Sequence, residues 1–326
     1  MSTSPVVSRR AWLALLGSAA SLPLLARAAY QADGPALTRP LAAQALATDI
    51  VLAGKRLVAV GERGHVLLSD DEGAHWRQAQ AVPTRSTLTS VFAADERTLW
   101  AVGHGGIVLR SIDAGERWTL VAGKPDGREV LLSLRIGPDG RGLAVGGFGY
   151  ALRTHDGGAH WERVTLLEGE AGERHLNRIF LSPAGTWLVA AEGGLVMRGE
   201  ERGQRWQAVK TPYAGSLWSG AALGQGVLLA CGMRGNIVRS TDDGRTWSTA
   251  QVPGLGSLTA VAALPDGRCV LAGVDGGFAV GSAGGEQFKA QPLPDRSTLT
   301  GVAVLSSRRL VASGAQGMRV IDISPP

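Results

Sequence analysis

The sequence predicts an all-β chain, a seven-bladed β-propeller with four-stranded blades and a ring closed by an N-terminal strand. Three observations carry that prediction. A turn motif of the form Ser/Thr-x-Asp-x-Gly-x-x-Trp recurs at a near-constant step. A Gly-x-x-Gly hairpin signature stands before each copy. Between them lie short apolar runs of strand length rather than helix length. The 326 residues would suit two average domains, but large all-β folds often run as one.

The turn motif appears as Ser69-Asp71-Gly73-Trp76, Ser111-Asp113-Gly115-Trp118, Thr154-Asp156-Gly158-Trp161 and Ser240-Asp242-Gly244-Trp247. Degraded copies are Gly199-Glu201-Gly203-Trp206 and Gly281-Ala283-Gly285-Phe288. The closing aromatics are spaced 42, 43, 45, 41 and 41 residues apart, which is the length of one propeller blade of four strands. Fold maintenance accounts for this motif. The Asp side chain accepts bonds from turn N–H groups, Gly takes the left-handed position, and Trp buries a large surface beside the blade.

The hairpin glycines are 61/64, 103/106, 146/149, 232/235, 273/276 and 314/317, and the fourth repeat carries Ala191 with Gly194. That makes seven copies. Runs such as Leu88–Phe92, Leu131–Leu134, Leu176–Phe180, Leu258–Val261 and Leu299–Val302 precede the pairs as candidate inner strands, and a fourth strand follows each closing aromatic. The seventh copy stops near Ile323, before a fourth strand. Residues 36–43 are expected to supply that strand and close the ring, leaving only short edges exposed.

Residues 1–28 read as a signal peptide. Arg9-Arg10-Ala11-Trp12-Leu13 opens an apolar stretch that ends at Ala26-Arg27-Ala28, a basic region, a short hydrophobic region and an A-x-A site. The arginine pair resembles a twin-arginine export signal. The expected organisation is a signal over 1–28, a linker over 29–35, the propeller over 36–323 and a tail over 324–326. The expected location is the periplasm, or the thylakoid lumen in a photosynthetic source. No later stretch reaches the ~20 apolar residues of a membrane span.

Removing 1–28 takes away three arginines and no acid, which brings the formal charge from +5 to +2. So balanced a chain is not expected to bind nucleic acid. Cys231 and Cys269 sit three residues out of register in neighbouring repeats and are expected to be two buried thiols.

With these motifs laid out, the chain resembles the bacterial-neuraminidase-repeat propellers, and among them the photosystem II stability/assembly factor family. The resemblance rests on the Ala-Val-Gly-x-x-Gly pattern feeding an Asp motif, as in Ala101 to Ser111 and Ala144 to Thr154, and runs from about residue 36 to the end. It implies a non-enzymatic seven-bladed factor that binds membrane-protein precursors from the exported side of a membrane; a monomer is expected.

Sialidases share the Asp motif, so hydrolysis is the competing reading. Their chemistry needs a Tyr nucleophile, a carboxylate beside it and an arginine cluster. The chain has three tyrosines, Tyr30, Tyr150 and Tyr213, and lacks the Arg-Ile-Pro signature of that family. A glycosidase with two catalytic carboxylates is also open at this point. The six histidines show no ligand spacing within one element, and the Gly-x-x-Gly turns do not open helices as phosphate loops do. No metal and no cofactor is expected.

In a propeller the tips between second and third strands share one face with the inter-blade loops. The fold does not dictate residues there. The candidate partner-binding set is therefore Arg63, His104, Phe148 and Arg234 at tips, with Arg85, Arg128, Arg174 and Arg296 in inter-blade loops. Pro83–Thr89 and Pro294–Thr300 are near copies, which suggests arginines crowding the channel mouth. They form either a scatter of solvated charges or a basic patch for an acidic loop or terminus. A second series, Arg110, Arg153, Arg198 and Arg239, is expected to bond turns within its own or the next blade.

Overall fold

The computed structural model describes residues 34–124, 127–252 and 254–323. The predicted signal, most of the linker and the tail lie outside the described residues. Seven antiparallel sheets follow one another along the chain, six with four strands and the last with three. The inner strands are Ala47–Ala53, Leu88–Ala93, Leu131–Ile136, Leu176–Leu181, Leu217–Ala222, Leu258–Ala263 and Leu299–Ser306. Described residues contain short 3-10 turns but no α-helix.

Burial explains the layering. The second strands, such as Leu99–Gly103 and Trp187–Ala191, are buried along their whole length. They carry apolar residues on both faces because each blade is covered by a neighbour on either side. The outer strand Arg205–Lys210 turns Arg205, Gln207, Ala208 and Lys210 to solvent and half-buries Trp206 and Val209. The apolar clusters bridge adjacent blades. One joins Val58 and Leu68 of blade 1 to Val91 and Leu109 of blade 2, and another joins Ala303 and Val311 of blade 7 to Ile50 and Leu57 of blade 1.

The Asp turns do what their residues predict. In blade 1 the Ser69 hydroxyl donates to Asp71 Oδ1 at 2.9 Å and accepts from Gly73 N at 2.9 Å. Asp71 Oδ1 accepts from His75 N at 2.9 Å, and the Trp76 indole donates to the Gly73 carbonyl at 3.0 Å. Blades 2 and 5 repeat the arrangement through Trp118 and Trp247. The degraded turn of blade 4 keeps only the indole bond from Trp206 to Gly203.

A second device stitches the blades around the channel. At the second residue of every inner strand the ladder slips by one residue, a β-bulge that re-aims its side chain. The bulged residues are Thr48, Thr89, Leu132, Asn177, Trp218, Thr259 and Thr300. Five of them donate to the first inner-strand carbonyl of the next blade. Thr48 reaches Leu88 at 2.6 Å, Thr89 reaches Leu131 at 2.5 Å, and Asn177 reaches Leu217 at 2.8 Å. Thr259 reaches Leu299 at 2.7 Å, and Thr300 reaches Ala47 at 2.7 Å, which ties blade 7 to blade 1. Leu132 has no donor to do this, and the Trp218 indole N–H makes no such bond among the described residues.

The first hairpin glycine serves the same bulge. A Cβ on Gly146 would lie 1.8 Å from the Val130 carbonyl oxygen. Where blade 4 carries Ala191, the residue adopts φ −136, against −166 at Gly146, and so makes room for the methyl.

The expected closure is corrected. Residues 36–43 do not form the fourth strand of blade 7, which ends with the third strand Gly317–Asp322. The segment lies along blade 1 instead. Ala36 N donates to the Val82 carbonyl at 2.9 Å, and Gln78 Nε2 donates to the Leu37 carbonyl at 3.1 Å. A 3-10 turn over Ala42–Gln44 then brings the Ala43 carbonyl against Gly317. Pro35 and Pro40 supply the physical reason, because neither has an N–H to give a ladder. Cys231 and Cys269 are both free and buried, as expected. Burial pushes both thiols up, Cys269 to about 11.

Candidate functional site

One face carries the hairpin tips and the inter-blade loops, bonded to one another. Gly106 N donates to Glu129 O at 2.9 Å, Gly149 N to Arg174 O at 2.9 Å, and Gly276 N to Ser297 O at 3.0 Å. The Asp turns occupy the opposite face. The tips hold their middle residue in the left-handed region, with φ 56 at Arg63, 53 at Phe148, 58 at Arg234 and 58 at Asp275. Side chains there stand away from the surface. A non-glycine residue in that region is strained by roughly 1–3 kcal/mol.

Three of the eight sequence candidates meet in a single cleft of 380 Å³ over blades 2 to 4: His104, Arg128 and Phe148. Phe148 is 79% exposed, and its ring packs on His175 with centroids 4.5 Å apart. Glu129, Val130, Leu132, Gly147, Tyr150, Arg163 and His175 complete the lining. The Arg163 guanidinium lies over the Tyr150 ring, 5.2 Å from its centroid. Burial pushes the Tyr150 phenol up, and Glu129 adds to this while Arg163 opposes it. Tyr150 also explains the second glycine of blade 2, because a Cβ on Gly106 would come within 3.1 Å of its hydroxyl. The cleft is thus an apolar and aromatic hollow whose rim carries two guanidiniums and two imidazoles against one carboxylate.

The other five candidates stay outside this lining. Arg174 pairs with Glu170 on the loop into blade 4. Arg85 donates from Nε to the Pro35 carbonyl at 3.0 Å and so pins the N-terminal segment. Arg296 forks onto Asp275, with Nε 2.7 Å from Oδ1. Arg63 and Arg234 are exposed at their tips in blades 1 and 5. The second arginine series bonds its neighbours. Arg198 donates to the Asp243 carbonyl at 2.9 Å and Arg239 to the Gly284 carbonyl at 2.6 Å, each in the next blade's turn. Arg153 bonds Glu162 in its own blade at 2.9 Å, and Arg110 covers Trp100.

The channel mouth holds a second hollow of 180 Å³, lined by the bulged residues Thr48, Thr89, Leu132, Asn177, Trp218, Thr259 and Thr300, with Asp49 and Arg178. None of the eight candidates lines it. Asp49 is 4% exposed. It accepts from Ile50 N at 3.0 Å, Ser90 Oγ at 2.7 Å, Val91 N at 3.2 Å and Arg178 at 2.9 Å. The last bond spans the channel from blade 4 to blade 1. Sequence reasoning missed this pair, although both residues hold the same third position of their inner strands.

Histidines 75 and 160 lie on the Asp-turn face, bonded to Asp71 at 2.7 Å and Asp156 at 2.6 Å. Among the described residues no three of His, Cys, Asp or Glu converge as metal ligands, and no helix is long and apolar enough to cross a membrane.

Comparison with known proteins agrees with this architecture. A solved structure described as YCF48 bound to D1 peptide superposes with a TM-score of 0.70 at 18% identity, covering 91% of this chain and 98% of that one. YCF48 from Cyanidioschyzon merolae gives 0.64 at 18% identity, covering 89% and 98%. Virginiamycin B lyase from Staphylococcus aureus gives 0.74 at 11% identity over 89% and 98%. At these identities the likeness shows the fold alone. In sequence, the Photosystem II assembly lipoprotein Ycf48 of Synechococcus sp. (strain CC9902) is 27% identical over 174 residues, 49% of this chain and 51% of that protein. The chain therefore spans about half the length of this curated relative. Residues 126–298, more than half of the chain, match the family described as Photosynthesis system II assembly factor YCF48, and the chain belongs to that family.

Proposed function

We propose that the protein is a non-enzymatic assembly or scaffolding factor that captures an exported loop or terminus of a membrane protein in the cleft over blades 2 to 4. The observation that carries this reading is Phe148. A large apolar ring, 79% exposed and held at φ 53, has no role in the blade's own packing. Such rings flanked by guanidinium groups are the usual anchors of protein interfaces. Arg128 and Arg163 outnumber Glu129 around it, which favours an acidic segment and a salt-dependent association rate. Membership of an assembly-factor family supports the reading, as does a family relative described as bound to a peptide. Export by a twin-arginine signal and action as a monomer in the periplasm or lumen belong to the same proposal.

Its test is crosslinking from the protein in its native cell, comparing the wild type with Phe148→Ala and Arg128→Glu. Both residues are exposed, so each change should move stability by no more than about 0.5 kcal/mol while capture is lost. Undiminished capture by the double variant would place the site elsewhere.

The competing hydrolase reading falls on Tyr150 beside Glu129, since Tyr213 donates its hydroxyl to the Met233 carbonyl at 3.1 Å. Burial and Glu129 raise the Tyr150 phenol, which disfavours the phenolate a nucleophile needs. Turnover of chromogenic sialosides, abolished by Tyr150→Phe, would reverse the assignment.

A further inference from the structure

Of the six exposed large apolar side chains among the described residues, three fall between positions 37 and 46: Leu37 at 41%, Leu41 at 65% and Leu46 at 38% exposed. Single leucines scattered over a surface are ordinary, but three within one short segment call for a cause. The segment is anchored to the ring. Ala36 N donates to the Val82 carbonyl, Arg39 N donates to Gln78 Oε1 at 2.6 Å, and Leu46 leads into the first inner strand. It crosses the face of the hairpin tips. The Leu46 carbonyl accepts from Glu62 N at the blade 1 tip, and the Ala43 carbonyl abuts Gly317 at the blade 7 tip.

The backbone is already satisfied where the leucines stand. Gln78 Nε2 donates to the Leu37 carbonyl at 3.1 Å, Gln44 N to the Leu41 carbonyl at 2.9 Å and Glu62 N to the Leu46 carbonyl at 3.2 Å. Pro35 and Pro40 carry no N–H. Bare polar backbone is what keeps an irregular segment out of lipid, and here these carbonyls are bonded inside the protein. The charges beside the leucines are mostly of one sign. Arg39 stands between Leu37 and Leu41, and Arg63 follows Glu62 at the tip. Both are exposed, and neither makes an ion pair among the described residues. Arg85 holds the Pro35 carbonyl at 3.0 Å. Across the segment, the blade 1 tip and Arg85, three guanidiniums stand against the single carboxylate of Glu62. None of the three leucines lines the cleft or the channel hollow. Leucine is under-represented among the anchors of protein interfaces. It is a usual apolar residue of segments that lie in the lipid headgroup boundary with basic side chains beside them.

We propose that residues 37–46 are a lipid-docking strap. Leu37, Leu41 and Leu46 enter the headgroup boundary of an anionic bilayer, and Arg39 and Arg63 meet its phosphates. The face of the hairpin tips then lies toward the membrane. This docking does not depend on what the cleft over blades 2 to 4 captures.

The test places an environment-sensitive fluorophore on the full chain at Leu41→Cys and, as a control on the exposed Asp-turn face, at Arg245→Cys. Both native thiols are buried, which leaves the introduced one for labelling. The probe is a vesicle of phosphatidylcholine with one-third phosphatidylglycerol, compared with phosphatidylcholine alone. On anionic vesicles the label at position 41 should shift to the blue and be quenched by lipids spin-labelled near the headgroup, and the label at position 245 should do neither. The response should weaken as salt rises. Arg39→Gln with Arg63→Gln should lower the apparent affinity by at least about tenfold, and so should Leu37→Ser with Leu46→Ser. Because the label reads position 41 itself, vesicle binding through another part of the chain is told apart from docking of the strap. Protein that floats with the vesicles while the label at position 41 stays in water would overturn the proposal, as would a chain that does not bind the anionic vesicles. A label that responds to solubilised membrane protein and not to vesicles would overturn it too, by making the strap's partner a protein.

Discussion

Replacing Asp49 by Ala should be among the most damaging single changes in the channel wall. Its carboxylate is 6% exposed and joins blade 1 to Ser90 and Val91 of blade 2 and to Arg178 of blade 4. Alanine leaves two backbone N–H groups and the Ser90 hydroxyl without this acceptor and Arg178 without its carboxylate. Breaking a buried ion pair from one side costs about 3–5 kcal/mol. The Arg178 side chain keeps 36% of its exposure and can partly rehydrate, which places the expected loss near the lower end, about 3 kcal/mol. At about 2 °C per kcal/mol for a large domain, the melting temperature should fall by about 6 °C. Arg178→Met should cost less, since an apolar side chain of similar length replaces the cation. The double variant should recover at least about 1 kcal/mol relative to the sum of the single changes. Thermal unfolding followed by circular dichroism and by urea titration measures all three. Strict additivity, or a fall below about 2 °C for Asp49→Ala, would show that the bridge across the channel carries no coupling.

Gly158→Ala should be as severe by another route. Gly158 has φ +85, and a Cβ there would lie 2.3 Å from the Trp100 ring. Loss of soluble folded protein, or destabilisation by more than about 3 kcal/mol in urea, is expected. Thr300→Val keeps the shape but removes the 2.7 Å bond from blade 7 to the Ala47 carbonyl. It should cost about 1 kcal/mol, and hydrogen exchange should show faster opening in blades 7 and 1 before the others. On acidification, bonds from the His75 backbone and side chain and from Ser69 hold Asp71 at about 2, below the ~3.9 of an unfolded chain. A depressed carboxylate favours the folded state above the unfolded value and loses that contribution as pH falls through about 2. Native tryptophan fluorescence should therefore be flat to about pH 3. A midpoint at pH 4 or above would exclude the turn carboxylates as the cause.

Much of the ring was legible because its rules are local. The spacing of Trp76, Trp118, Trp161, Trp206 and Trp247, with the glycine pairs, places every blade and turn. What failed was a register argument carried past its chemistry. Residues 36–43 stand at the correct offset for an outer strand, but two prolines and the bond from Ala36 to Val82 take the segment onto blade 1. The cleft was half legible. His104, Arg128 and Phe148 stand out as tip and loop residues the fold does not prescribe, whereas Tyr150 and His175 reach it through the packing of three blades. The channel charges were visible in principle. Asp49 and Arg178 are the two charged residues at the third inner-strand position, where the other repeats carry Ser, Ala or Gly.

The repeat abandons its own stitch in two blades, and one of these breaks borders the cleft over blades 2 to 4. The bulged position is built to donate to the next blade, and five blades use it so. Blade 3 puts Leu132 there and blade 5 puts Trp218, each giving up an inter-blade bond worth about 1 kcal/mol. Leu132 lines both the cleft and the channel hollow, whereas Trp218, like the other bulged residues, lines the hollow alone. Stability alone would keep threonine or asparagine at both sites. Breaches of a local rule in an otherwise consistent chain concentrate where function makes its demands. Leu132 therefore marks the wall between the two hollows. The cleft over blades 2 to 4 begins where the repeat gives up a polar tie for an apolar surface.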